Sequence, residues 1–380
     1  MVGRVISAYK ENPITLLAYG KINLHLSVFE RNLGDRLHSL GSLFHTISLA
    51  DRLTLTSAKA FNIKIIPFDQ SKQSHSRRML GAALASNSDS NNDWTYRADD
   101  KLYKDNILVR TWELMKERYR LAGEVDIVLA KGIPLGAGLG GGSSDAAALI
   151  TWVDKVYALR LSMQEKINLA LNIGSDVPFF LIGGMAWITG IGADIHSLKV
   201  NLVSLTDRNN SDNSNNYGNT TYLPFWIVEN DVLVQTKEAY EKFVTYDHYN
   251  TYNNLKKMIA KCIHLPQATS TLKLNTDVKD KKFSCRSSVK YSDLKQATQI
   301  MNLLKKQATN AFQNKLLAAS EVLANIYDHL REGSEYVLLT GSGSAFFCQA
   351  AKHNMEALVR VQGVRAIYPI EFTDKAQRFL

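Results

Sequence analysis

The sequence predicts an α+β protein in two domains, and three observations carry that expectation. The chain has 380 residues, long enough for two hydrophobic cores. Period-two apolar alternation, as in KINLHLSV (21–28), and helical apolar spacing, as in DNILVRTWELMKERYR (105–120), follow one another along its first half. A polar, Asn-rich run, TDRNNSDNSNNYGNTT (206–221), then interrupts the chain before a new strand-like segment, LPFWIVEN (223–230).

The elements read as follows. ITLLAYGKINLHLSVF (14–29) is one or two strands, and LFHTISLADRLTLT (43–56) is a strand pair with a turn near Ala50 and Asp51. FNIKII (61–66) is a short strand, followed by a Ser/Asn-rich surface insertion at about 70–97. A helix spans 105–120 with Asp105 as its N-cap, and EVDIVLA (124–130) is a strand. After a glycine-rich loop a helix runs from about Ser144 to Leu159. FQNKLLAASEVLANIYDHLR (312–331) is one long amphipathic helix, and YVLLTGSGSAFFCQA (336–350) is strand, Gly/Ser turn, strand. The expected domains are 1–195 and 196–380, the second carrying a polar insert at about 206–221 and a basic one at about 251–295.

The formal charge of +9 is local. Residues 251–310 hold twelve Lys or Arg and three Asp, so the rest of the chain is neutral. That distribution argues against a uniformly basic nucleic-acid binder. The stretch reads as a solvated insert, with an acidic partner as the alternative. Cys262, Cys285 and Cys348 are widely spaced and form no C-x-x-C, which points to a reducing compartment and no cysteine zinc site. No apolar stretch is long enough to span a bilayer, and the first residues lack a secretory core, so a soluble protein is expected. A cytosol and a plastid-type organelle both remain open, as do monomer and homodimer. No nucleic-acid or membrane partner is expected.

The chemistry concentrates in KGIPLGAGLGGGSSDAAALI (131–150). Pro134 and Leu135 lead into Gly136, Ala137, Gly138, Leu139, Gly140, Gly141 and Gly142; Ser143 and Ser144 then open a helix. Glycine lets backbone N–H groups approach a phosphate closely, and a helix N-terminus adds unpaired donors and the positive end of a dipole. The two serine hydroxyls can bond a phosphate or reach its Mg²⁺. A P-loop would need Gly-Lys-Ser/Thr at its end, and none is present. Gly136, Gly138 and Gly141 match G-x-G-x-x-G, but the flanking pattern is not that of a dinucleotide fold.

PLGAGLGGGSSDAA resembles the second motif of the GHMP kinases, small-molecule kinases without a Walker loop. AYGKINLHLSV with DRLHSLGSLFHTISLADRLTL, KDNILVRT, and GSDVPFFLIGGMAWITGIGADI resemble further family blocks, in the same order, and LTGSGSAFF resembles the third motif. Together they cover most of residues 15–195 and a short piece near 340. The resemblance implies an S5-like N-terminal domain, a ferredoxin-like C-terminal domain and a cleft between them. It implies ATP as phosphoryl donor, Mg²⁺ arriving with it, and no structural metal. It is strongest to the branch whose small-molecule acceptor is a cytidine diphosphate-linked methylerythritol.

Taken alone, Lys21 reads as a snorkelling strand lysine and Asp176 as a cap or turn aspartate. The resemblance implies that the two form the catalytic pair, Asp176 taking the acceptor's proton and Lys21 supporting it. Asn23 shares the strand face of Lys21 and is a candidate contact to the substrate polyol, or a satisfied polar residue. Asn106, beside Asp105, falls in the block that lines the nucleotide side. The resemblance gives His38 the role of reading the cytosine edge, but Arg36-Leu37 stands where the family has Gly-Tyr, so the base-stacking tyrosine is missing. Gly341, Ser342 and Gly343 are expected to close over the substrate diphosphate. His25 and His45 read as filler.

Overall fold

The structure is a computed structural model that describes residues 12–31, 38–67, 94–96, 105–192, 194–200, 202, 223–246, 249–263 and 291–380. The Arg36-Leu37 element, nearly all of the 70–97 insertion, the 206–221 run and residues 264–290 of the basic stretch lie outside the described residues.

Two sheets organise the chain. The first has eight strands in the order β12-β1-β2-β5-β3-β4, with β6 on β2 and β7 on β6. Its centre is the pair β1 (Ile14–Val28) and β2 (Leu40–Ala58). The expected turn at Ala50 and Asp51 does not form. β2 runs through it as one 19-residue strand because Asp51, Leu53 and Leu55 keep a single period-two face buried. The edge of β2 that faces away from β1 is shared by two partners. Residues 40–45 pair with β6 (Met185–Gly190), and residues 52–58 pair with β5 (Glu124–Lys131). Between those two ladders the sheet opens, and Asp51 sits at the opening. β3 (Asn62–Pro67) runs parallel to β5 and pairs with β4 (Trp94–Tyr96), while β7 (Asp194–Leu198) closes the other end.

Helices α1 (Ile107–Tyr119) and α2 (Gly141–Val156) cover one face of this sheet. Ala146, Ala147 and Ala148 are fully buried, and their small side chains let α2 pack closely between β1 and α1. Larger residues there would overpack the contact, at about 1–3 kcal/mol each. α3 (Met163–Leu171) and the single turn α4 (Phe179–Ile182) follow, α3 with a Ser162/Glu165 capping box. The N-cap of α1 is Asn106, not Asp105: its side chain accepts from Leu108 N at 2.8 Å. The helix opening at the glycine loop starts at Gly141, three residues before the expected position.

The second sheet has the antiparallel order β11-β8-β10-β9, from β8 (Phe225–Asn230), β9 (Ser334–Leu339), β10 (Phe346–Ala350) and β11 (Val364–Ile370). Helices α5 (Tyr249–Cys262), α6 (Tyr291–Gln307), α7 (Gln313–Ala319), α8 (Glu321–Gly333) and α9 (Lys352–Leu358) belong to this half. The expected single helix over 312–331 is broken at Ser320, which is extended and caps α8 by accepting from Leu323 N. β12 (Gln377–Phe379) leaves the second half and pairs with β1, so the sheet of the first half includes a strand that follows all of the second sheet in sequence.

The two halves share a core. Ile22, Leu24, Leu43 and Trp187 from the first pack with Phe225, Ile227, Tyr336 and Phe347 from the second in one buried cluster. His25 adds a polar tie, because its Nδ1 accepts from Thr309 N at 3.2 Å. Among the described residues no helix is long and apolar enough to cross a membrane.

Candidate active site

β1 carries a bulge between Tyr19 and Lys21. There the Lys21 amide leaves the ladder and donates to Leu139 O at 2.9 Å, which fastens the glycine loop to the strand. The Lys21 side chain is buried; its Nζ donates to Asn23 Oδ1 at 2.7 Å and lies 3.8 Å from Asp176 Oδ2. The Phe44 ring lies 4.6 Å from that ammonium. Asn23 Nδ2 donates to Ser42 Oγ, which in turn donates to His25 O at 2.6 Å. Asn23 is thus held from behind and holds Lys21 in front. Burial lowers the Lys21 pKa, and the Asp176 carboxylate works against that shift. Asp176 is half-buried in the turn between α3 and α4, close enough to solvent to meet a ligand.

The glycine loop runs from β5 into α2. Gly140 is the N-cap of α2 in the left-handed region (φ +72°), and its position is walled by Phe180: a Cβ would stand 2.7 Å from the ring and 3.3 Å from Lys21 Cε. The amides of the first α2 turn therefore face the site with no side chain between, and no acidic residue lies in that turn. Ile107, at the start of α1, lies 3.5 Å from where a Cβ of Gly142 would be, so Asn106 and the start of α1 border the same place. Asn106 Oδ1 itself is committed to the α1 cap.

The other loop residues divide into anchors and exposed positions. Pro134, Ala137 and Leu139 are buried, Gly136 and Gly142 are exposed, and Leu135, Gly138, Gly141 and Ser143 are intermediate. The two serines separate: Ser144 is fully buried and its hydroxyl donates to Tyr19 O at 2.7 Å, whereas Ser143 stays partly open.

The second glycine turn comes from the other half. Gly138 packs directly on the backbone at Thr340, where a Cβ would come within 2.2 Å of the carbonyl oxygen. Thr340 Oγ1 donates to Ala137 O at 2.6 Å. Asn310 Nδ2 donates to Leu339 O and Gly341 O, both at 2.8 Å. Gly341 is buried against Gly138 and faces Lys21 Nζ, and Gly343 packs on Ala137 and Gly138. Ser342 bonds Thr236 Oγ1 at 3.2 Å on the exposed side.

His38 lies further along. Its Nδ1 bonds Phe29 O at 3.1 Å, and its ring stacks on Tyr246 (5.2 Å between centroids) and Tyr240 (6.0 Å). Burial pushes the Tyr240 hydroxyl up to about 12, with a further push from the Asp176 charge.

The structure therefore brings Lys21, Asn23, Asp176, Gly140 and Gly341 together, while His38 lies apart, stacked on Tyr240 and Tyr246. Sequence reading missed Phe180, Thr340, Tyr240, Tyr246 and the buried group Asp51, Lys131 and Asp145. Among the described residues no group of three His, Cys, Asp or Glu could hold a metal.

An amide-lined helix N-terminus, glycines pressed against their neighbours and an adjoining Lys–Asp pair characterise the site of this α+β protein, and its glycine loop carries no Gly-Lys-Ser/Thr. Comparison with known proteins gives the class a name. Residues 106–184 match the model of the GHMP kinases N terminal domain. A 4-diphosphocytidyl-2-C-methyl-D-erythritol kinase of Thermoanaerobacter pseudethanolicus is 32% identical over 230 residues, 60% of this chain and 62% of its own length. The enzyme of that name from Lawsonia intracellularis is 32% identical over 257 residues, 67% of this chain and 71% of its own. The chain belongs to the GHMP kinase family. It spans about three fifths of the length of the first of these relatives. A crystal structure of 4-(cytidine 5'-diphospho)-2C-methyl-D-erythritol kinase shares the fold, with a TM-score of 0.57 and 22% identity over 94% of this chain and 99% of that one.

Proposed function

We propose that this protein transfers the γ-phosphate of ATP to the 2-hydroxyl of 4-diphosphocytidyl-2-C-methyl-D-erythritol. The observation that carries the reading is the Lys21–Asp176 pair, 3.8 Å apart, beside the open N-terminus of α2. The relatives' names support the choice of acceptor. The triphosphate lies along the amides from Gly138 to Ser143, and Gly341 to Gly343 cover the acceptor side. Asp176 accepts the hydroxyl proton, and the Lys21 ammonium stabilises the charge that develops on the attacking oxygen. Asn23 keeps that ammonium in place. Mg²⁺ carried in with ATP would supply neutralisation of phosphate charge, and the partly open Ser143 would be its candidate hydroxyl ligand, since Ser144 is fully buried.

His38 takes the cytosine end, where Tyr240 and Tyr246 supply the aromatic surface absent at position 37. In this reading the eight-stranded sheet with its helices is the S5-like half, and the four-stranded sheet is the ferredoxin-like half.

The test is ATP consumption with the cytidine substrate, with and without Mg²⁺, against a panel of other small alcohols. Asp176→Asn is expected to lower turnover by about 10²–10⁴-fold, the range for a lost general base, while ATP still binds. Unchanged turnover would remove Asp176 from the chemistry, and preference for another alcohol would reassign the acceptor.

A further inference from the structure

The glycine loop needs its two ends fixed if its amides are to converge on one ligand. β5 delivers the chain to the loop at Lys131, and α2 takes it away from Gly141. At the entry, Asp51 Oδ1 accepts from two successive amides, Gly132 N at 2.7 Å and Ile133 N at 2.8 Å. Its other oxygen, Oδ2, accepts from Lys131 Nζ. At the exit, the same Nζ donates to Asp145 Oδ2 at 3.2 Å, within the second turn of α2. Asp51, Lys131 and Asp145 are exposed by 0%, 8% and 2%. A Cβ on Gly141 would stand 3.1 Å from Lys131 Nζ and 3.2 Å from Asp51 Oδ2, so the group lies directly beneath the first residue of α2.

We propose that Asp51, Lys131 and Asp145 form a positioning triad that sets the curvature of the phosphate loop by tying its entry to its exit through one buried ammonium. This rests on the reading that the loop holds the ATP triphosphate. None of the three touches the nucleotide.

Charge fits the role. Two ionised carboxylates and one ammonium would leave a net negative charge under a site for a polyanion. Burial works against the Lys131 charge, but Asp145 and then Asp51 outweigh it, so Lys131 stays protonated. Burial and then the Asp51 charge raise the Asp145 pKa well above its usual value, and the Lys131 ammonium works against that shift. A raised Asp145 pKa limits that negative charge, which favours the attraction of the helix N-terminus above the triad for phosphate.

The test compares Asp145→Ala with Asp145→Asn in the full-length protein, by steady-state kinetics, by binding of a non-hydrolysable ATP analogue and by thermal melting. Alanine removes the exit tie but leaves the Asp51–Lys131 pair and a good helix former. KM for ATP is expected to rise about tenfold, the scale on which supporting partners of a binding shell act, with kcat and KM for the alcohol within about threefold. Asparagine, whose carbonyl can accept from Lys131, is expected to restore ATP binding to within about threefold of wild type. Equal ATP affinity in wild type and Asp145→Ala overturns the proposal, as does a loss that asparagine fails to rescue. Failure of the wild-type protein to bind ATP would instead overturn the reading of the loop itself. Should Asp145→Ala not fold, Lys131→Arg decides: it keeps the charge, but its wider head displaces Gly141. ATP KM is again expected to rise about tenfold, and an unchanged value overturns the proposal.

Discussion

Acidification from pH 7 to pH 5 should destabilise the protein by about 2 kcal/mol through His25 alone. His25 is 2% exposed, and its Nδ1 accepts the Thr309 amide while Nε2 lies 2.9 Å from Ser27 Oγ. Protonating Nδ1 would break the tie to Thr309, and burial lowers the ring's pKa from 6.5 to about 4. The unfolded chain takes up this proton as pH falls through 6.5, whereas the folded chain waits until about 4. The stabilisation is therefore complete above the unfolded pKa and is lost as pH falls towards the folded one. At 1.36 kcal/mol per pKa unit, integration from pH 7 to 5 gives about 2 kcal/mol. His45, also lowered to about 4 by burial, adds a similar loss. Asp145, Glu229 and Asp374, all raised by burial, act in the opposite sense. The comparison must therefore be differential. Urea unfolding of wild type and His25→Gln, whose carbonyl can still accept from Thr309, should be measured at both pH values. Wild type is expected to lose about 2 kcal/mol more than the variant; equal losses would refute a neutral, proton-excluding His25. Activity should fall along with stability, because the neighbouring Asn310 holds Gly341.

Gly140→Ala should cost about 2–5 kcal/mol, from roughly 1–2 for a left-handed alanine and 1–3 for the contact with the Phe180 ring. A melting temperature and ATP affinity equal to wild type would mean that the loop can shift away from Phe180. Tyr246→Ala should raise KM for the cytidine substrate about tenfold while KM for ATP holds, since a base–aromatic stack carries about 1–3 kcal/mol. An effect on ATP instead would place the tyrosine pair on the wrong ligand.

The glycine loop was legible in the sequence because its chemistry is local: consecutive glycines ahead of an alanine-rich helix admit few other readings. The Lys21–Asp176 pair was not legible by itself. The two residues are far apart in the chain, each has an ordinary structural explanation, and only the order of the family-like blocks joined them. Asp51 was misread as a turn because a charged residue inside an apolar run usually ends it. The missed signal was its phase, since it falls in register with Leu53 and Leu55, where a carboxylate must find a buried partner. That partner, Lys131, follows directly on the expected strand 124–130, where nothing local marks a lysine as buried. Tyr240 and Tyr246 were invisible for another reason: nothing local marks an aromatic residue that reaches a histidine some two hundred positions earlier. The break at Ser320 was hidden by apolar spacing that continues across it.

The pairing of β12 with β1 has a consequence for biosynthesis. Leu16 waits for Phe379, about 360 residues later, before that edge of the first sheet is covered. On the ribosome, the strand that carries Lys21 would sit with part of one flank open until β12 has emerged, and it would be a natural place for a chaperone to hold the growing molecule.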